Sequence, residues 1–244
     1  LGFFYGRITA LLGYKAMRHE GKITGLAARG NPNGYMDLMK KMIDYKNGEI
    51  IATSGKYYRP FFSNFSQELI EIIKKAKKED IAAAAQNHLE NLICKIVKHY
   101  LKIKPSKNIC MAGGVFANVR VNQKILEVDG VENIFIQPHM GDGGLALGAA
   151  IGVPFILNRE KSKLDNMFLG PEFSDKDIEI ALEKYKNISF MKKDDLVPSI
   201  IEALSNDKVV GLFQGKMEFG PRALCHRSII YHCKDVNINN WLNK

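Results

Sequence analysis

The sequence predicts an α/β fold, and three features support that prediction. Between residues 108 and 152, a short apolar strand, a glycine pair and a helix follow one another twice. A third apolar run, 209–213, leads into a loop with a Gly-Pro turn. Short apolar runs bounded by glycine or proline are typical of strands, and strands that alternate with helices favour a parallel sheet.

The first segment of the chain is expected to be helical up to Gly13. Its apolar residues recur at helical spacing, and they are Phe3, Phe4, Tyr5, Ile8, Leu11, Leu12 and Tyr14. A longer apolar stripe runs through residues 81–100 and predicts a buried helix face. We expect Asp80 to cap that helix, and we expect Gln86 and Glu90, which stand beside the stripe, to be solvated.

Residues 20–30 form a short unit with two possible interpretations. One is a loop and a tight helix that packs through Gly25 and Ala27. The other is a nucleotide contact, in which a carboxylate bonds the ribose hydroxyls and an ammonium group reaches a phosphate. The candidate contacts in the second case are Glu20, Gly21 and Lys22.

The two strand–glycine–helix units predict a cleft for the phosphates of a nucleotide. A backbone without Cβ atoms can approach a ligand closely, and the N–H groups at a helix start favour an anion. The candidate contacts are Gly113 and Gly114, Asn118 at the start of the next helix, and Gly143 and Gly144 in the second unit. The alternative is that these glycines only turn corners of the sheet.

Asp142 is the only carboxylate in the second glycine turn. It is a candidate metal ligand beside the phosphates, and the alternative is that it caps the following helix. A single carboxylate would hold a metal weakly, because catalytic metal sites typically use three or more protein ligands.

The last third of the chain starts with a polar stretch, 158–173, that predicts a linker. Ser174 and Asp177 then form a capping box that opens a helix. The apolar run 209–213 is expected to be a buried strand.

Three cations follow that strand within one short loop, Lys216, Arg222 and Arg227. Guanidinium groups suit phosphate and carboxylate oxygens, often with two bonds at once. The alternative is a structural ion pair between Glu218 and one of the arginines.

The composition is that of a soluble globular protein, with 46% apolar and 25% charged residues. No apolar run reaches the roughly 18 residues of a membrane span. The net charge of +9 could attract anions, but no nucleic-acid-binding motif accompanies it. Four scattered cysteines, of which Cys110 is expected in a buried strand, suit a reducing cytoplasm. Both ends of the chain interrupt patterned sequence, which predicts a fragment.

Three stretches resemble carbamoyltransferases of the nodulation and antibiotic-tailoring type. The first is MAGGVFAN with IFIQPHMGDGGLALGAA, and the second is EGKITGLAARG with Tyr5, Thr9 and Gly13 before it. The third, GKMEFGPRALCHRSII, is similar to that family's GRxEFGPRALGNRSIL. Two departures stand in this third stretch, because Lys216 replaces an arginine and Cys225-His226 replaces Gly-Asn.

The resemblance implies the C-terminal part of an actin/Hsp70/sugar-kinase-like (ASKHA, Kae1-like) lobe over residues 1–157, a linker over 158–173 and the truncated beginning of a YrdC-like α/β domain over 174–244. It implies that the YrdC-like part makes carbamoyl-adenylate from carbamoyl phosphate and ATP. The first lobe would then transfer the carbamoyl group to a hydroxyl of a small acceptor.

The resemblance also assigns roles to residues and implies cofactors and partners. The catalytic group would be Asp142, Arg222 and Arg227, and the ATP contacts would be Glu20, Gly21, Lys22, Gly113, Gly114, Asn118, Gly143, Gly144, Lys216 and Ser228. A divalent metal, iron by expectation, would be held by Asp142 and a histidine pair from an earlier segment, with Mg²⁺ accompanying ATP. We expect a cytoplasmic protein, a possible homodimer, and neither nucleic acid nor membrane as a partner.

Three other functions stay open at this point. The chain could transfer a threonylcarbamoyl group to tRNA, since that family shares the first lobe. It could be an Hsp70-like or sugar-kinase-like ATPase, although neither the EGK nor the GPRAL stretch would then be explained. It could also be a non-catalytic remnant that only binds a nucleotide.

Overall fold

Helices and strands alternate along the chain, which confirms the mixed α/β class. The computed structural model describes residues 1–58, 64–159, 161, 164–232, 234–235 and 237–242. The helices are α1 (Gly2–Leu11), α2 (Glu20–Ala27), α3 (Met36–Met42), α4 (Gln67–Lys74), α5 (Lys78–Ile103), α6 (Val119–Leu126), α7 (Gly144–Asn158), α8 (Asp175–Glu183), α9 (Val197–Ser205) and α10 (Ile238–Leu242). The strands are β1 (Ile43–Lys46), β2 (Glu49–Ala52), β3 (Asn108–Met111), β4 (Asn133–Ile136), β5 (Val210–Phe213) and β6 (Arg227–Ile230).

The chain divides into two compact units, Leu1–Leu145 and Ala146–Lys244. The strands pair two by two, as β1–β2, β3–β4 and β5–β6. None of the helices in the described ranges combines the length and the hydrophobicity that a membrane crossing requires.

The first unit is built around α5, which packs against α1, α2, α3 and α6. The predicted apolar stripe of this helix is confirmed over residues 81–93, where Ile81, Leu89 and Leu92 are almost completely buried. The prediction is wrong at the end of the stripe, where Tyr100 is 58% exposed. The prediction of a solvated face beside it is wrong, because Gln86 is only 5% exposed and Glu90 only 9%. Four consecutive alanines at 82–85 are the physical reason, since side chains this small let neighbouring helices approach from several sides.

The N-terminal end of α5 meets the segment that follows α2. The helix starts at Lys78 with Lys77 as its N-cap, so the prediction that Asp80 caps it is wrong. The Asp80 carboxylate instead accepts the backbone N–H of Asn31 at 2.8 Å. At Gly30 the two backbones are so close that a Cβ atom would lie 1.9 Å from the carbonyl oxygen of Glu79.

Gly25 does not make the close helix contact that was expected of it. It is exposed, and a Cβ atom built there would meet no atom within 4 Å. The glycine that the packing requires in this segment is therefore Gly30.

Strands β3 and β4 are parallel, with Met111 opposite Ile136 at their carboxyl ends. The turns that follow the two strands are therefore neighbours at one edge of the sheet. The backbone N–H of Gly113 donates to the carbonyl of Met140 at 2.6 Å, which ties the two turns together. Cys110 is exposed, contrary to expectation, because in a two-stranded sheet alternate side chains point away from the packed face.

The second unit carries little apolar burial. Its helix α8 begins with the predicted capping box, in which the hydroxyl of Ser174 accepts the Asp177 N–H and the Asp177 carboxylate accepts the Ser174 N–H. Strand β5 pairs antiparallel with β6, which the sequence did not predict, and Phe213 is 60% exposed, so the expectation of a buried strand is wrong. Among the described residues of this unit, only Glu218 is buried.

The two glycines around α2 give a direct test of this packing. Gly30→Ala should lower the free energy of unfolding by about 1–3 kcal/mol, because a backbone carbonyl blocks the new Cβ. Gly25→Ala, in the exposed middle of α2, should raise it by about 0.5–1 kcal/mol through helix propensity. Urea unfolding of both variants measures the two values, and similar changes in both would contradict the packing at Gly30.

Candidate functional site

A buried polar network joins the helices of the first unit. The side-chain amides of Gln86 and Asn118 bond each other, at 2.8 Å in one direction and 3.2 Å in the other. The Tyr5 hydroxyl donates to the side-chain oxygen of Gln86 at 2.6 Å, and the side-chain nitrogen of Gln86 donates to the Glu90 carboxylate at 2.7 Å. Thr24 completes the network, with its hydroxyl 3.2 Å from that of Tyr5 and 3.5 Å from the Asn118 amide nitrogen.

Asn118 has a second task as the N-cap of α6. Its side-chain oxygen accepts the backbone N–H groups of Arg120 and Val121, at 3.1 and 3.2 Å. The side chain is 8% exposed, and its bonds in this structure are to protein groups. Asn118 therefore fixes the start of α6, and its contact with ATP stays a prediction.

The network brings two of the sequence motifs together. Thr24 lies on α2, whose first turn is Glu20, Gly21 and Lys22, and Asn118 ends the glycine turn after β3. Burial raises the pKa of Tyr5, which keeps its hydroxyl protonated as a donor within this junction.

One side chain in the first turn of α2 is engaged in a local hydrogen bond. The Glu20 carboxylate accepts the N–H of Met17 at 2.6 Å, which supports a tight turn where Met17 has a φ of 64°. Gly21 and Lys22 are exposed. Among these three residues, the lysine is the one whose charged group is presented to solvent.

A cavity of about 210 Å³ lies beside the network. Its polar lining comes from Thr24, Gln86, Asn87, Glu90 and Arg120. The guanidinium of Arg120 stands 3.8 Å from the buried Glu90 carboxylate, so the cavity wall carries charges of both signs.

The glycines of the two turns differ in what a side chain would meet. Gly113 has a φ of 116°, a conformation that L side chains rarely adopt, whereas Gly114 has open space at its Cβ position. A Cβ at Gly143 would lie 2.1 Å from the His139 ring, and one at Gly144 would lie 2.2 Å from the His139 carbonyl oxygen. Packing on His139 therefore explains the second pair, whereas no atom in the part of the chain that the structure describes would meet a Cβ at Gly114 within 4 Å.

Asp142 is exposed at the turn before α7. In the ranges that the structure describes, its carboxylate forms no hydrogen bond and no ion pair, and no group of three or more His, Cys, Asp or Glu side chains is placed to hold a metal. The residues present thus do not form a metal site by themselves, and the role of Asp142 as a ligand stays a prediction.

In the second unit, the loop 214–226 between β5 and β6 carries Lys216 and Arg222, and the third predicted cation, Arg227, is the first residue of β6. One oxygen of the Glu218 carboxylate accepts three backbone N–H groups, those of Leu224 at 3.0 Å, His226 at 2.8 Å and Arg227 at 2.9 Å. Burial by itself would raise the pKa of Glu218, but these backbone hydrogen bonds outweigh it and lower the pKa from 4.5 to about 2.

Arg227 holds the other side of the loop. Its guanidinium donates to the carbonyls of Gln214 at 2.7 Å, His226 at 3.0 Å and Gly215 at 3.2 Å. It also lies over the ring of Phe213, 3.6 Å from the centroid. The alternative of an ion pair between Glu218 and Arg227 is not observed, since the Arg227 guanidinium bonds backbone oxygens.

The remaining predicted contacts of this unit lie in or beside the same loop. Lys216 and Arg222 are exposed, and Ser228 lies on β6 opposite Leu212. The structure therefore collects Lys216, Arg222, Arg227 and Ser228 in one hairpin.

Residues outside the predicted set also shape this loop. The ring of His226 stacks on Phe168 at 3.7 Å, and its Nδ1 lies 2.6 Å from the Lys216 carbonyl. Cys225, which stands at a glycine of the family pattern, has a φ of 73°. Cys225 thus adopts the left-handed conformation that favours glycine. Cys233 lies outside the described residues.

The sequence did not predict the side chains that connect one segment of the site to another. Gln86, Glu90, Thr24 and Tyr5 were not among its candidates, although the spacing of 82, 86, 89 and 93 along α5 places Gln86 on a helical face with apolar residues. The role of Glu218 as an acceptor for backbone groups has no comparable signal in the sequence.

Comparison with known proteins covers both units. Residues 1–151 match the model described as carbamoyltransferase N-terminus, and residues 201–244 match the one described as carbamoyltransferase C-terminus. The nodulation protein NolO of Bradyrhizobium diazoefficiens is 31% identical over 242 residues, covering 94% of this chain and 43% of NolO. The nodulation protein NolNO of Sinorhizobium fredii is also 31% identical, covering 94% of this chain and 34% of NolNO.

A third relative comes from an archaeon. The protein MJ1051 of Methanocaldococcus jannaschii is 34% identical over 247 residues, covering 94% of this chain and 45% of the relative. The chain thus spans less than half the length of each of these three proteins.

The Glu218 contacts predict how acid affects stability. A carboxyl whose pKa falls from 4.5 to about 2 on folding binds a proton less readily in the folded state. The contribution of Glu218 to the free energy of unfolding is therefore complete above about pH 4.5 and is lost as the pH falls towards 2. Glu218→Gln should lack this component, so the difference in unfolding free energy between wild type and variant should shrink over that window. Parallel pH curves would contradict the assignment.

Proposed function

Since the chain belongs to the carbamoyltransferase family, we propose that it forms the nucleotide-binding and anion-binding parts of an enzyme that carbamoylates a hydroxyl group. The proposed reaction uses ATP and carbamoyl phosphate, proceeds through carbamoyl-adenylate, and ends on a small hydroxylated acceptor. The first unit would be part of an ASKHA lobe, and the second would begin a YrdC-like domain.

One observation supports the nucleotide site more than any other. The network, through Thr24, Gln86 and Asn118, connects helix α2 to the glycine turn after β3. The Gly113–Met140 hydrogen bond places the loop with Asp142 next to that turn. Three segments that are far apart in the sequence, and that resemble one family's motifs, are thereby linked by hydrogen bonds.

Within this proposal, the residues of the first unit bind and orient ATP. The open space at Gly114 would let a phosphate approach the backbone closely. Lys22, exposed on the first turn of α2, would supply a positive charge. Glu20 would bond the ribose, with its carboxylate held in place by the Met17 N–H.

The second unit would receive the anionic donor. Arg222 and Lys216 would pair with the oxygens of carbamoyl phosphate, whose negative charge a guanidinium stabilises through two bonds. Arg227 would act mainly through the loop, since three carbonyls and a ring already engage it.

A glycine variant tests the nucleotide site. Gly114→Ala should weaken ATP binding to the chain by about tenfold or more, equivalent to about 1.4 kcal/mol, because the new methyl group occupies the place of a phosphate. Stability should hardly change, since a Cβ there meets no atom within 4 Å. Isothermal titration calorimetry with ATP measures the affinity, and thermal unfolding measures the stability.

The matched control is Gly34→Ala, which also has open space at its Cβ and lies outside the sequence motifs. It should bind ATP as wild type does. Equal affinity in Gly114→Ala would leave this glycine as a corner residue. A wild-type chain that binds ATP but not carbamoyl phosphate would favour an ATPase of another class over carbamoyl transfer.

A further inference from the structure

The one buried residue among those described in the second unit is a carboxylate, which is unusual because carboxylates are seldom buried without partners. Glu218 has its partners within its own loop, the N–H groups of residues 224, 226 and 227. A carboxylate that accepts several backbone N–H groups is strongly stabilised in its charged form. The contact is therefore an organising centre for a segment that has neither helix nor strand.

Arg222 lies inside the segment that this contact closes. The chain leaves Glu218, passes through the Gly220-Pro221 turn and Arg222, and returns to the same carboxylate oxygen at Leu224. Gly220 has a φ of 115° and Cys225 one of 73°, so the segment turns sharply on both sides of Arg222. The Glu218 oxygen joins the N–H groups that follow the second turn to the residue that precedes the first.

We propose that Glu218 is a positioning residue, which sets the place of Arg222 by gathering the backbone N–H groups of its loop. This inference rests on the proposed function, because it takes the Arg222 guanidinium to be a contact for carbamoyl phosphate. Arg227 complements Glu218 from the opposite side, since its guanidinium collects carbonyl oxygens of the same loop.

The direction of the change in anion affinity when Glu218 is removed distinguishes a positioning role from charge repulsion alone. A negative charge near an anion-binding loop repels the anion, so its removal by itself would tighten binding. If Glu218 positions Arg222, Glu218→Ala should weaken the binding instead, because the loop loses its common acceptor. Glu218→Gln keeps a carbonyl oxygen that accepts N–H groups, and it should restore most of the affinity.

The experiment is a double-mutant cycle on the 244-residue chain with carbamoyl phosphate as the probe. Calorimetry should show an affinity about tenfold weaker in both Glu218→Ala and Arg222→Ala, and no further weakening when the two are combined, because they act through one group. Glu202→Ala, which removes an exposed charge from the same unit, is the control and should not weaken binding. Wild-type or tighter binding in Glu218→Ala, or additive effects in the cycle, would overturn the proposal.

A measurement without ligand keeps this inference separate from the proposed function. Amide hydrogen exchange by NMR should be faster at Leu224, His226 and Arg227 in Glu218→Ala, and the amide of Arg222 should show larger fast motions. An unchanged Arg222 loop would overturn the inference whether or not carbamoyl phosphate binds. A wild-type chain with an ordered loop that binds no carbamoyl phosphate would instead count against the proposed function alone.

Discussion

The first unit depends on one pair of side-chain amides, those of Gln86 and Asn118. Each amide both donates to and accepts from the other, and both residues are buried, Gln86 at 5% and Asn118 at 8% exposed. Leaving either amide without its partner there would cost about 1–3 kcal/mol per buried group. The pair therefore fixes the start of α6 relative to α5, and α6 starts where the glycine turn ends.

Two further side chains connect this amide pair to the rest of the proposed nucleotide site. Tyr5 connects it to α1 and Thr24 connects it to α2. Polar networks that are satisfied in this way give a packed interior a single arrangement, because any shift of one helix breaks several bonds together. Apart from Asn118, the residues that hold α2 beside the glycine turn have no predicted contact with the ligand.

The sequence was most informative where local rules decide the structure. The two strand–glycine–helix units, the capping box at Ser174 and the apolar stripe of α5 follow from periodicity and cap chemistry. It was misleading at Gln86 and Glu90, because polar residues next to an apolar stripe normally face water. Here the alanines before Gln86 bring other helices close, and tertiary packing overrides that preference.

In the second unit, residue types predicted the cations but not what holds them. Nothing about a glutamate in the sequence shows that its oxygen will accept three backbone N–H groups of the residues that follow it. The expected burial of β5 failed for a related reason. The described residues of this unit bury no apolar side chain, so its order depends on hydrogen bonds and ring contacts that composition does not reveal.

The ATP affinity of Gln86→Met, compared with that of His88→Met, tests the central claim most directly. His88 lies on the same helix, is 3% exposed and bonds the Ile43 carbonyl, away from the junction. Both variants lose buried hydrogen bonds and should lose stability. Only Gln86→Met should lose ATP affinity, by about tenfold or more, when both are measured folded at low temperature. Wild-type ATP affinity in Gln86→Met would contradict the account.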